Sequence, residues 1–167
     1  MNNNEIINFY LIKNVKNKAQ KYENPNFKLC QIKHPFRTTV IAPSGTGKSN
    51  FTLNLLYRMS DTFYNVILCC KTSQEPLYQF LTEQLGERIR VITELNKFPT
   101  IDDLKKESNN QTLIIFDDMV TEKNCKPILD MYMLGRKLNC SMMFLTQSYF
   151  KCPKFIRQQC NYIILYY

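Results

Sequence analysis

The chain has 167 residues, room for one domain with a real core, and 44% of them are hydrophobic, the share of a globular protein. No apolar run approaches the ~20 residues that span a bilayer, and Met1-Asn2-Asn3-Asn4-Glu5 carries no basic stretch ahead of an apolar one, so neither a membrane span nor a signal peptide is expected. Seven cysteines, an odd number without a Cys-x-x-Cys pair, speak against a disulfide framework and a zinc site, and a net charge of +8 suits a polyanionic partner as readily as plain solubility. An intracellular protein is expected.

Residues 1–35 are rich in asparagine and lysine, with Ile6, Ile7, Phe9, Tyr10, Leu11 and Ile12 supplying apolar surface. They read as an accessory arm docked on a core, with complete disorder as the competing reading. The core, 36–167, begins with a β-prone run, Phe36 to Ala42. A helical pattern follows from Asn50 to Met59, with Phe51, Leu55, Leu56 and Met59 on one face. Asn65 to Cys70 is apolar enough for a strand buried on both faces. Leu77, Phe80, Leu81 and Leu85 form a helical stripe that stops at Gly86, and Arg90 to Thr93 is a short strand. A short helix is predicted from Asp102 to Lys106 and a turn at Ser108-Asn109-Asn110-Gln111. Thr112 to Asp118 is a buried strand ending in two carboxylates. Pro127 suits the first turn of the next helix. Ser141 to Gln147 is a further strand, Pro153 opens a short helix, and Tyr162 to Tyr166 is a last strand. Strands alternating with helices predict an α/β fold with a mostly parallel sheet.

Between the first strand and its helix lies Ala42-Pro43-Ser44-Gly45-Thr46-Gly47-Lys48-Ser49, followed by Asn50. This is the pattern of a phosphate-binding P-loop in its proper strand–loop–helix setting, with Ala42 where the pattern usually has its first glycine. Glycines let the backbone N–H groups turn toward phosphate oxygens, and the helix N-terminus adds partial positive charge. Lys48 is placed for the β- and γ-phosphates of ATP, and Ser49 offers a hard oxygen ligand to Mg²⁺. Asp117 and Asp118, after four apolar strand residues, form a Walker B arrangement at the edge of the sheet where α/β ligands bind. Asp117 is expected on Mg²⁺ and Asp118 as the group orienting or deprotonating the attacking water. Gln147, ending the next strand, is a candidate sensor of γ-phosphate or water, with Thr146 a weaker one. Arg136 and Arg157 are candidate arginine fingers for an adjoining subunit's nucleotide, although each equally suits a surface position. His34 reads as an ordinary loop histidine. Tyr57, Phe63 and Tyr78 fall on core-like patterns rather than base-stacking ones.

Four segments together resemble the viral DNA-packaging ATPases of the FtsK/HerA superfamily, the type of poxviruses, giant DNA viruses and virophages. They are Ala42–Ser49, Ile114–Met119, Leu134-Gly135-Arg136, and Phe144-Leu145-Thr146-Gln147-Ser148-Tyr149-Phe150 with Pro153 and Arg157 behind it. The resemblance implies a RecA-like P-loop core that uses ATP and Mg²⁺. It implies a homo-oligomer, a hexameric ring, that pumps double-stranded DNA into a capsid at an intracellular viral assembly site and stays associated with the virion. Lys48, Ser49, Asp117, Asp118 and Gln147 match the family's functional positions, and Arg136 matches a recurrent Gly-Arg element. Lys137 departs from the histidine common there, and further helices are expected beyond Tyr167, so the core reads as shortened at its C-terminus. Capsid proteins are the expected further partners, and no membrane is. Two alternatives stand beside the motor: another nucleic-acid P-loop ATPase such as a helicase or loader, and an assembly protein governed by nucleotide without sustained turnover.

Overall fold

The computed structural model describes residues 24–119 and 125–166; the apolar residues expected to dock the arm, Ile6 to Ile12, lie outside them. Six strands form one sheet in the order β3-β2-β4-β5-β1-β6, every pair of neighbours parallel. They are β1 (Arg37–Ile41), β2 (Asn65–Cys70), β3 (Ile89–Ile92), β4 (Thr112–Asp117), β5 (Cys140–Thr146) and β6 (Tyr162–Leu165). The helices are α1 (Phe27–Cys30), α2 (Lys48–Arg58), α3 (Pro76–Leu85), α4 (Ile101–Lys106), α5 (Lys126–Leu134) and α6 (Lys154–Gln159).

The strand pleat sorts side chains into two cores. Val66, Leu68, Leu113, Ile115, Met143 and Leu145 face Leu55 and Met59 of α2 and Tyr78 of α3. Ile67, Cys69, Ile114, Phe116, Met142 and Phe144 face Leu104 of α4, Ile128, Met131 and Tyr132 of α5 and Ile156 of α6. Helices therefore cover both faces of the central strands, which explains why β2, β4 and β5 are apolar without alternation. The result is the three-layer α/β, RecA-like P-loop arrangement expected from the sequence.

Local sequence sets the element ends. Pro76 occupies the first turn of α3, where its missing N–H costs nothing, and Gly86 closes that helix at φ 53°. Thr100 and Asp103 exchange hydrogen bonds in a capping box at the start of α4. The helix after the glycine loop begins at Lys48, two residues before the apolar periodicity becomes visible, because its first turn belongs to the loop.

Two expectations are corrected. Tyr57 is 83% exposed on the outer face of α2, not part of the core. His34 is no ordinary loop residue. It is buried against Phe63, with Nε2 2.8 Å from the Asn139 side-chain oxygen and Nδ1 2.8 Å from the Ser141 hydroxyl. The segment ahead of β1 also carries a short helix, and Asn24 is buried, its amide donating to the Ile32 carbonyl and its oxygen accepting from Thr62.

Candidate active site

Because β1, β4 and β5 are parallel neighbours in the group β4-β5-β1, the loops leaving their carboxyl ends meet at one edge. The pairings Asp117↔Leu145, Ile41↔Thr146 and Cys70↔Asp117 put the ends of β2, β4, β5 and β1 on one line. A cavity of about 580 Å³ opens there, lined by Ser44, Gly47, Lys48, Ser49, Asp117, Asp118 and Gln147 among others.

The glycine loop is built by backbone conformation. Gly45 and Gly47 have φ of 77° and 97°, a region where an L side chain is strained. Space is not the constraint, since a Cβ at either would meet nothing within 4 Å. Gly47 is also the N-cap of α2, which aims the helix N-terminus into the cavity. The Lys48 ammonium donates back to the carbonyls of Ala42 (2.8 Å) and Pro43 (3.0 Å). Ala42 is buried beneath the loop with its N–H on the Thr146 carbonyl, and the Thr46 hydroxyl donates to the Pro43 carbonyl. Ala42, Pro43 and Thr46 thus shape the loop, while Ser44, Gly45, Gly47, Lys48, Ser49 and Asn50 face the cavity.

Opposite the loop stand the two carboxylates. Asp117 Oδ2 accepts a 2.6 Å hydrogen bond from the Tyr78 hydroxyl. Burial raises the Asp117 pKa, and the charges of Glu75 and Asp118 add to this, against the Tyr78 bond and the Lys48 charge. Asp118 has φ 52°, a left-handed conformation fixed by its N–H on the Leu145 carbonyl. Its Oδ2 accepts a 2.8 Å hydrogen bond from the Gln147 amide. The acid and the expected sensor are therefore in direct contact. Thr146 is buried, its hydroxyl 3.4 Å from the Ser148 carbonyl, and turns away from the cavity.

The arginines stand apart from this group. Arg136 lies beside the start of β5 and lines a different hollow with Lys33, Arg37 and Tyr162, at the amino edge of the sheet. The seven residues of β5 at about 3.3 Å each place it about 20 Å from the phosphate loop, out of reach of its own chain's cavity. Arg157, on α6, stacks its guanidinium 4.3 Å over the Tyr149 ring and donates to the Cys152 carbonyl. It does not line the cavity either.

Sequence reading missed the end of β2 and the segment after it, which contribute Cys70, Lys71, Thr72, Glu75 and Leu77 to the lining and Tyr78 behind it. A signal existed, because ligands of parallel sheets gather at strand carboxyl ends. Using it required knowing that β2 lies beside β4. The Cys70 thiol, pushed up to about 11 by burial and by the Asp117 and Glu75 charges, is no nucleophile at neutral pH.

An all-parallel sheet carrying a glycine loop before α2 and carboxylates at the end of β4 belongs to the P-loop ATPases with a RecA-like core. Within that class, the profile of the family described as Poxvirus A32 protein matches residues 22–166, and the chain belongs to that family. It is an ATPase of the viral genome-packaging kind. No curated protein matches the chain. Among solved structures it is similar to the genome packaging NTPase B204 of Sulfolobus turreted icosahedral virus 2 in complex with ATP-gammaS. That match has a TM-score of 0.56 and 14% identity, over 81% of this chain and 76% of that one. It is also similar to the cytoplasmic domain of EssC (TM-score 0.61, 14% identity), over 78% of this chain and 31% of EssC. A third likeness is to ATPases 2 and 3 of Thermomonospora curvata EccC (TM-score 0.51, 12% identity), over 75% of this chain and 28% of that one. At such identities these likenesses concern the fold. Among the described residues no helix is long and apolar enough to cross a membrane.

Proposed function

We propose that the chain is a Mg²⁺-dependent ATPase motor that moves double-stranded DNA into a viral capsid, working as a homo-oligomeric ring. The observation that carries this reading is the convergence of Lys48, Ser49, Asp117, Asp118 and Gln147 on one cavity at the carboxyl edge of a parallel sheet. Residues 36–167 form the motor core and residues 1–35 an accessory arm, of which 24–35 pack beside α2 and β5. The chemistry of B204, a packaging NTPase solved with ATP-gammaS and with AMPPCP, is consistent with this assignment. The work takes place at the intracellular site of virion assembly, with capsid proteins as further partners.

In this mechanism the loop N–H groups and the positive end of α2 receive the β- and γ-phosphates. Lys48 exchanges the Ala42 and Pro43 carbonyls for phosphate oxygens. Ser49 and Asp117 are hard oxygen donors that line the same cavity, a donor set suited to Mg²⁺. Bound there, the ion would neutralise charge on the phosphates. Asp118 takes the proton of the attacking water, and Gln147 holds that carboxylate in place. Neither arginine lines its own chain's cavity, so the arginine finger of this mechanism comes from a neighbouring subunit, with Arg136 or Arg157 as the donor.

The test is steady-state ATP hydrolysis with and without double-stranded DNA. Wild type should be stimulated by DNA, less so as salt rises, because phosphate contacts release counterions. Lys48→Ala should abolish turnover. A rate indifferent to DNA would replace the motor by a nucleotide-controlled assembly protein, and full activity in Lys48→Ala would remove the site assignment.

A further inference from the structure

Tyr78 belongs to the buried face of α3, and its hydroxyl reaches Asp117 at the carboxyl edge of the sheet. It sits in the first turn of α3, 1% exposed in the core that holds Leu55, Leu68 and Leu145, behind the cavity lining. There it donates to Asp117 Oδ2 at 2.6 Å, a charge-assisted bond at the short end of its class. Ser49 and Asp117 line the same cavity. Burial in this core fixes the ring, and the main chain is held where Tyr78 N–H donates to the Glu75 carbonyl and the Thr82 hydroxyl donates to the Tyr78 carbonyl. A buried ring of this kind keeps its hydroxyl in place better than an exposed, rotatable side chain would. Nothing in folding alone requires an oxygen here: a phenylalanine would fill the same volume and leave one partly buried carboxylate without its donor.

We infer that Tyr78 is a positioning residue for metal-dependent nucleotide binding: its hydroxyl occupies one oxygen of Asp117 and turns the other, together with the Ser49 hydroxyl, toward the metal side of the nucleotide. The inference rests on the assignment of Ser49 and Asp117 to Mg²⁺ above. It makes the segment after β2 a working part of the site rather than a wall. A movement of α3 would carry the Tyr78 hydroxyl with it and change how the site holds Mg²⁺.

Binding of AMPPCP by the full chain, followed by calorimetry across a Mg²⁺ titration and in EDTA, tests this without turnover. Tyr78→Phe should leave affinity in EDTA unchanged and raise the Mg²⁺ concentration for half-maximal binding about tenfold, the worth of one hydrogen bond to a charged group. Asp117→Asn should raise it as well, and the double variant should be no worse than Asp117→Asn alone. In hydrolysis assays, saturating Mg²⁺ should return Tyr78→Phe toward wild-type turnover, which a general packing defect would not allow. If Asp117→Asn shifts the midpoint while Tyr78→Phe matches wild type, the role of Tyr78 is overturned and the metal assignment survives. If Asp117→Asn has no effect, the metal assignment itself falls, and this inference with it. Additive losses in the double variant, or lost affinity in EDTA, would place Tyr78 in general architecture instead. Should Tyr78→Phe fail to fold, Tyr78→Met fills the core without a donor and serves the same comparison.

Discussion

At the scale of single residues, the site is held by unusual backbone conformations. Gly47 accepts its φ of 97° because it has no Cβ. Asp118 does not have that freedom, and its φ of 52° costs about 1 kcal/mol relative to the right-handed region. The N–H bond to Leu145 and the Gln147 amide hold it there, so the strain sits on the very carboxylate assigned to the water. Asparagine tolerates the same conformation, which separates chemistry from shape. Asp118→Asn should therefore keep its melting temperature and its affinity for AMPPCP while kcat falls by about 10²–10⁴, the range of a lost general base. A parallel loss of affinity in calorimetry would show that Asp118 binds rather than reacts. The glycine loop, Asp117, Asp118 and Gln147 were all legible as site candidates because each ends a strand or opens a helix in an unbroken local pattern. Tyr78 was not, because its helical spacing is that of any core tyrosine and its partner lies on a strand remote in sequence.

At the scale of elements, the strands could be read with errors of a residue or two, since apolar β-prone runs bounded by turns leave little choice. Their order could not, because β1 is inserted between β5 and β6 by packing that no local pattern records. The corner between α5 and β5 shows such packing closely. Gly135 follows α5, and a Cβ there would come 2.6 Å from the Met142 sulfur and 3.3 Å from the Met131 methyl. The requirement is close approach, not conformation, because its φ of −54° is helical. Gly135→Val should lower unfolding stability by about 1–3 kcal/mol through overpacking, read by denaturant titration. Gly135→Ala should cost less, since the methionine ends can yield. An unchanged midpoint for the valine variant would mean that this corner is loosely packed. The same corner orients the following turn, and so the direction in which Arg136 leaves the body.

At the scale of the whole molecule, the parallel sheet separates two edges with different duties. The carboxyl edge carries the candidate site, and the amino edge fastens the segment before β1. There the Phe36 N–H donates to the Ser141 hydroxyl, that hydroxyl meets His34 Nδ1, and His34 Nε2 meets Asn139. These partners suit a neutral ring. Burial accordingly lowers the His34 pKa from the ordinary 6.5, with the Asn139 bond only partly opposing it. The unfolded chain then takes up the proton first, so this contribution to stability is complete above about pH 6.5 and is lost as pH falls below it. Thermal melts from about pH 8 to pH 5 should show wild type losing stability below 6.5, with the advantage over His34→Gln shrinking as it does. A constant difference between the two proteins would mean that His34 does not titrate on unfolding. The sequence offered no hint of this, since a lone histidine beside a proline shows none of its eventual neighbours.

Lys48, folded back onto the Ala42 and Pro43 carbonyls, has a consequence for turnover. A phosphate arriving in the loop trades places with two carbonyl groups, so the gain on binding is the difference between two sets of good partners. The same trade runs in reverse once the bond to the γ-phosphate is cut. The carbonyls are waiting to recapture the ammonium, and product leaves without stranding a bare cation. A loop that supplies its own substitute for the ligand should hold nucleotide less tightly than one without it.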